Sequence, residues 1–180
     1  IILNFKQVYN HCFQYNKNVD DGDIYSTTKL DILPWDNINS MRLKSIIDAK
    51  NVVSKLIKDF YNNNIKLQDK NLSVPESFFP KRKPSDGKIN LSKNTNEIFN
   101  LVRGVSYPFP GAFLFYDNLK ITIWEAYPFS FNLFKNQKPG KILKILKDNS
   151  FLLKTIDGVL LVKDYTIENN IKLKEKEYLK

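Results

Sequence analysis

From Ala112 onward the chain reads as five short apolar runs, most of them parted by tight-turn signals, a pattern that few folds can satisfy. Ala112 to Tyr116 and Leu119 to Glu125 flank Asp117-Asn118, and Lys141 to Leu146, Phe151 to Ile156 and Val159 to Tyr165 are separated at Asp148-Asn149 and Asp157-Gly158. Asp, Asn and Gly tolerate the positive φ that tight connections between antiparallel strands need. Five strands within about sixty residues match the size at which a small sheet closes on itself and removes its edges, so an OB-like β-barrel is expected. The charge-rich stretch from Glu168 to Lys180 reads as a solvated helix or a frayed end.

Upstream the periodicity changes. Leu43, Ile46, Ile47, Val53, Leu56, Ile57, Phe60 and Tyr61 recur at three- and four-residue spacing, with Ser40 as the expected N-cap and Asn62-Asn63-Asn64 as the stop. Such an apolar stripe requires a sheet or another helix to cover it. Before it, Cys12 to Tyr15 and Ile24 to Ile32 read as extended segments around the break at Asp20 to Asp23. A second helix is expected after Asn94, where Glu97 three residues on completes a capping box and Ile98, Leu101, Val102 and Val105 form one buried face. Between the helices, Val74 to Ser92 shifts to Pro, Ser, Lys and Gly and reads as a linker.

Composition narrows the class. At 180 residues, with 42% hydrophobic and 26% charged side chains, the chain is too apolar for disorder and too often interrupted by Lys and Asn for a membrane span. A single cysteine, Cys12, excludes an internal disulfide and a Cys-rich zinc site, so no metal and a reducing cytoplasm are expected. The formal charge of +9 favours a polyanion such as tRNA or a phosphate-bearing small molecule, but the lysines are spread along the chain and not gathered in a stripe. The N-terminus has no signal-peptide pattern, and without an initiator Met it reads as beginning inside a longer protein.

Three motifs carry chemistry. Val19-Asp20-Asp21-Gly22-Asp23-Ile24, taken alone, is a solvated acidic turn, lacking the spaced oxygen ligands and terminal Glu of a calcium loop. Phe79-Pro80-Lys81-Arg82-Lys83-Pro84-Ser85-Asp86-Gly87, taken alone, is a charged linker. Tyr107-Pro108-Phe109-Pro110-Gly111-Ala112-Phe113 is a rigid connector from the second helix into the first strand of the β region. Together, in this order, they resemble the formyltransferases that use 10-formyltetrahydrofolate. That family carries hydrophobic-Asp-Thr/Ala-Gly-Asp-Ile, Arg-Arg-Thr-Pro-Glu-Asp-Gly and Arg-Ala-x-x-x-Pro-Trp/Tyr-Pro-Gly-Ala-Phe. This chain departs at Asp21, which adds a charge beside Asp20, and at Gly104, which follows Arg103 where the family has Ala. Trp124 matches the Trp of a family strand and is expected in the core.

The resemblance implies roles. Asp20 is the family's catalytic aspartate, Gly22 and Asp23 belong to the loop beside the folate, Arg82 and Lys81 face phosphate or sugar, and Tyr107 lies on the acceptor side. It also implies an Asn-x-His pair. Here Asn10 and His11 are adjacent, so His11 reads as a strand or surface residue. The expected architecture is an α/β remnant of a Rossmann-like catalytic domain over residues 1–73, a linker over 74–92, a helix plus OB-like domain over 93–168 and a charged tail over 169–180. The implied reaction is formyl transfer to the amine of a nucleotide-linked amino sugar, with the N-terminal part of the active site expected before Ile1. Methionyl-tRNA formylation is one alternative, with tRNA as partner; a non-catalytic OB-like binding or dimerisation module is the other, and a homodimer suits either class.

Overall fold

The computed structural model describes residues 1–17, 22–68 and 79–180. They form two compact units, one of Phe5–Asp36 and Ser40–Lys81, the other of Ile1–Asn4, Asn37–Asn39 and Arg82–Lys180.

In the first unit, β1 (Gln7–Phe13) and β2 (Ile24–Asp31) form an antiparallel hairpin, with Gln7 opposite Asp31 and Cys12 opposite Ser26. A hairpin connection as short as residues 14–23 suits antiparallel pairing, whereas parallel strands need a long crossover. Among the described residues this unit has no parallel strand pair: where a Rossmann-like remnant is expected over 1–73, they form an antiparallel hairpin and a helix. That helix, α1 (Ile38–Tyr61), starts earlier than its expected cap. Ser40 lies inside the first turn and donates its hydroxyl to Asp36 Oδ1 at 2.7 Å. Asp36 is buried, and its Oδ2 accepts the Leu33 N–H at 2.7 Å and the Lys44 ammonium. Burial pushes this carboxyl up, but the bonds from Lys44, the Leu33 amide and Ser40 outweigh it and hold the group below the usual carboxylate range. Along α1, Leu43, Ile46, Ile47, Val53, Ile57 and Phe60 are exposed, so the stripe that sequence periodicity places there is present and uncovered.

The second unit is a five-stranded antiparallel sheet with one helix. Its strands are β3 (Ala112–Tyr116), β4 (Leu119–Ser130), β5 (Ile142–Ile145), β6 (Phe151–Lys154) and β7 (Val159–Ile167), in the order β3-β4-β7-β6-β5. Asp117 and Asn118 have φ of 45° and 65°, the positive pair a tight hairpin demands, which explains why this turn is legible in sequence. The helix α2 (Thr95–Val105) carries the expected capping box: Asn94 accepts the Glu97 N–H at 2.8 Å and Glu97 accepts the Asn94 N–H at 3.1 Å. Ile98 and Val102 of α2 pack with Leu114, Ile121, Ile123, Phe151, Leu153 and Leu160 in one core.

Two expectations are corrected here. The strands do not close into a barrel, because the edge strands β3 and β5 do not pair with each other. The C-terminal segment, expected to be solvated or frayed, hydrogen-bonds to both edges instead. Ile142 N–H reaches Glu177 O at 2.7 Å and Leu179 N–H reaches Gly140 O at 2.7 Å, while Lys180 and Phe115 exchange backbone bonds of 2.7 and 2.8 Å. Tyr116 adds a hydroxyl bond to the Glu177 carboxylate. Leu173 and Leu179 are buried, and these two apolar anchors were masked in sequence by the charges around them. The tail therefore pairs with parts of the edges that five strands leave open, at Phe115 of β3 and at the start of β5, which shortens the unpaired edge.

A buried polar cluster fastens α2 to the β6–β7 turn. Thr95, the first residue of α2, gives its N–H to Asp157 Oδ1 at 2.8 Å and its hydroxyl to the same oxygen at 2.7 Å, with Thr155 Oγ1 2.6 Å away. Lys154, also buried, donates to Gly158 O at 3.1 Å. Burial pushes the Asp157 carboxyl up, but the Thr95 hydroxyl and amide, its own backbone amide and the Lys154 charge outweigh this and lower it. A carboxylate at a helix N-terminus satisfies an amide that the helix itself cannot.

Thr95→Val is expected to cost about 1–3 kcal/mol, the usual penalty for leaving buried partners unsatisfied, read as a fall in Tm of several degrees. Because the folded carboxyl of Asp157 titrates below its unfolded value of about 3.9, its contribution is complete above that pH and is lost as pH falls through the folded value. Asp157→Asn should therefore lower Tm at pH 7 and flatten the acid side of the stability profile; a wild-type acid slope in this variant would contradict the assignment.

Candidate functional site

The connector between α2 and β3 is tied to β4 by one bond and folded on itself and on the end of α2 by two more. Ser106 Oγ donates to Trp124 O at 2.8 Å, Phe109 N–H to Ser106 O at 3.0 Å, and Gly111 N–H to Val105 O at 2.9 Å. Gly111 has φ of 81°, and a Cβ there would lie 2.4 Å from Thr122 Cγ2 and 2.8 Å from Trp124 Cζ3. Both the backbone and the space demand glycine. With its flanks tied down, Tyr107 is held outward, 73% exposed.

The wall facing it is made by a defect in β4. Ile121 and Ile123 are buried, as alternation requires, but the next buried residue is Ala126, out of phase by one. Pairing with β7 is shifted to match: Ile123 is opposite Tyr165, Glu125 opposite Asp164 and Ala126 opposite Val162. An extra residue in one strand turns neighbouring side chains to one face, and bulges of this kind are common beside active sites. Here Trp124 and Glu125, adjacent in sequence, both leave the core. A cleft of about 490 Å³ results, lined by Asn37, Ser106, Tyr107, Trp124, Glu125, Tyr127 and Asp164.

Its chemistry is aromatic and acidic. Trp124 Nε1 donates to Thr166 Oγ1 at 3.2 Å, fixing the indole. Tyr127 donates its hydroxyl to Glu125 Oε1 at 2.5 Å, and this bond, then burial, then the Glu125 charge push the phenol up. The Asp164 carboxylate makes no hydrogen bond or ion pair among the described residues, and neither lysine nor arginine lines the cleft. Like charges opposite each other in a ladder are unfavourable. Facing carboxylates on a chain of net charge +9 therefore break a local rule, as functional sites tend to do.

The residues singled out in sequence are distributed differently. Asp20 lies outside the described residues. Gly22 is buried, and a Cβ on it would fall 1.5 Å from Gln14 O, so only glycine fits where Gln14 N–H meets Asp23 O at 2.8 Å. Asp23 is exposed. Lys81 and Arg82 are exposed, and Arg82 Nη2 donates to Asp86 O at 3.2 Å across the 3-10 turn Pro84–Gly87. Of these residues only Tyr107 lines the cleft, whereas Gly22, Asp23 and Lys81 belong to the other unit. His11 sits in β1 and its Nδ1 is 3.0 Å from Thr27 Oγ1. Trp124, expected in the core, is a cleft wall. Glu125, Tyr127 and Asp164 escape sequence reasoning, although the phase slip between Ile123 and Ala126 was a readable sign of a bulge.

Gly111→Ala is expected to lower the stability of this unit by more than about 1 kcal/mol, because the native φ is incompatible with a side chain. In a Trp35→Phe background it should also move the Trp124 emission maximum; unchanged Tm and emission would show that the connector is not held as described.

The family described as the formyl transferase C-terminal domain matches residues 81–180. Among curated relatives, the bifunctional polymyxin resistance protein ArnA of Wigglesworthia glossinidia brevipalpis is 33% identical over 127 residues, covering 71% of this chain and 19% of its own length. Methionyl-tRNA formyltransferase of Malacoplasma penetrans is 31% identical over 166 residues, covering 91% of this chain and 50% of its own length. The chain thus spans half or less of the length of these relatives. In fold it is similar to HypX from Aquifex aeolicus, with a TM-score of 0.73 at 16% identity over 91% of this chain and 29% of that one. It is similar also to an N-formyltransferase from Helicobacter canadensis, solved with folinic acid and dTDP-3-aminofucose, with a TM-score of 0.65 at 17% identity over 89% of this chain and 57% of that one. The match across residues 81–180 shows that this chain belongs to the formyltransferase family and carries its C-terminal domain.

Proposed function

We propose that this chain serves formyl transfer from 10-formyltetrahydrofolate to the amine of a nucleotide-linked amino sugar, and that its second unit binds the acceptor through the cleft beside Tyr107. The folate is consumed as a donor and supplies a carbonyl open to attack by an amine. Asp20 is the carboxylate that orients the proton acceptor for the attacking nitrogen, a task that suits an ionised group held beside a base. Gly22 and Asp23 shape its loop, Gly22 through the close approach to Gln14. Arg82, assisted by Lys81, takes the acceptor's phosphates, because a guanidinium fork matches two oxyanions. Tyr107 stacks on the planar part of the acceptor.

The observation that carries this reading is the cleft itself. Its 490 Å³ and its aromatic walls fit a small molecule, whereas a surface for tRNA would present basic side chains toward phosphates. The solved relative from Helicobacter canadensis, whose description includes dTDP-3-aminofucose, adds weight. A tRNA acceptor is the second reading, favoured by the charge of +9 and by the methionyl-tRNA formyltransferase relative. The 180 residues hold one histidine, His11, engaged with Thr27, and no Asn-x-His pair. Turnover is accordingly assigned to a protein that supplies that pair.

Titration of the chain with nucleoside diphosphates, followed through Trp124 fluorescence in a Trp35→Phe background, separates the readings. Saturable binding is expected that weakens modestly between 50 and 200 mM salt and drops about tenfold in Tyr107→Ala, the loss typical of one stacking contact. Tight tRNA binding that falls by roughly 10³ over the same salt range, with no response to nucleotides, would establish the tRNA reading in its place.

A further inference from the structure

We infer that the cleft discriminates among nucleotide bases and that Asp164 is the residue that does so, selecting guanine. The inference rests on the reading that the cleft holds the acceptor's nucleotide, and it adds the identity of the base.

Three observations lead to it. Tyr107 and Trp124 line the cleft, so a planar ring is a natural occupant. Its carboxylates repel phosphate, which places the base inside and the pyrophosphate outside the cleft. The two carboxylates are also not equivalent. Glu125 is committed to the Tyr127 hydroxyl, whereas both oxygens of Asp164 are unengaged among the described residues. An ionised carboxylate only accepts, and it binds best a partner presenting two donors side by side.

Base edges differ sharply by this criterion. Uracil and thymine present a single ring N–H between two carbonyls, so the second carboxylate oxygen would meet a carbonyl oxygen. Adenine and cytosine place an amino donor next to a ring-nitrogen acceptor. Guanine alone among the common bases sets a ring N–H beside an amino group, and Asp164 can accept from both. The bulge is what makes this contact available: by shifting the β4–β7 register it sets Asp164 opposite Glu125 on the face where Trp124 lies. Glu125 then acts as a positioning residue that holds Tyr127 against the cleft wall.

The test is competitive titration of the chain with GDP, IDP, UDP and dTDP, read by Trp124 fluorescence in a Trp35→Phe background, with and without Asp164→Asn or Asp164→Ser, and with Tm confirming that each variant folds. GDP should bind at least about tenfold more tightly than UDP or dTDP, the discrimination typical of one good bidentate contact. IDP, which keeps the ring N–H and lacks the amino group, should fall between. Both variants should erase the GDP preference while leaving UDP affinity unchanged or improved. Equal or tighter binding of UDP or dTDP would overturn the assignment of guanine while leaving the nucleotide reading intact, as would a GDP preference that survives in the variants. Displacement of nucleotide by free galactosamine, lost in Asp164→Asn, would assign Asp164 to the acceptor's ammonium and overturn the base-reading role. Absence of any nucleotide binding to wild type would overturn both readings together.

Discussion

Burial of Ile121, Ile123 and Ala126 within one strand cannot be met by a regular pleat, and the second unit is arranged around the way β4 resolves that conflict. The core accepts all three only if the strand slips phase between Ile123 and Ala126; β7 slips with it between Tyr165 and Val162, so the register is offset only at Glu125 and Asp164. That slip expels Trp124 and Glu125 together, sets Glu125 against Asp164, and leaves a wall onto which the α2–β3 connector folds. Gly111 is the complementary condition, since any side chain there would collide with Thr122 and Trp124. A packing requirement in the core thus determines the shape and charge of a surface cleft.

The cleft needs a rigid frame, and the frame is polar at its far end. Thr95, Thr155, Lys154 and Asp157 tie the start of α2 to the β6–β7 turn, while Ser106 ties its end to β4 through Trp124 O. Between these ties Ile98 and Val102 bury the helix on the sheet. The C-terminal segment adds to the frame by bonding to the start of β5 and to β3, which covers part of the edges that unclosed strands leave open.

Much of this was legible in residue order, and the failures have physical causes. The Asn94–Glu97 capping box and the Asp117-Asn118 turn are local devices whose geometry depends on a few neighbouring residues, so sequence suffices to find them. Closure and tail docking depend on pairing between distant segments. Leu173 and Leu179 are too few to announce themselves among lysines and glutamates, yet two buried anchors and a run of backbone bonds are enough to dock the segment. The end of β4 was misread for a related reason. Pro128 argues against a strand interior, but β3 pairs only as far as Ile123, so Pro128 sits where one side of β4 is free and no donor is missed. Of the candidate site, sequence identified Tyr107 but not Glu125, Tyr127 or Asp164, because a bulge decides which side chains share a face.

Residue-resolved mapping of the acceptor is the most direct measurement. Backbone and indole chemical shifts of the chain, titrated with a nucleotide-linked amino sugar, should change most at Ser106, Tyr107, Glu125, Asp164 and the Trp124 Nε1–H, which reports the cleft wall directly. Perturbations centred instead on the lysine-bearing β5 edge around Lys141 and Lys144, with the Trp124 indole unmoved, would contradict the placement of the acceptor in the cleft.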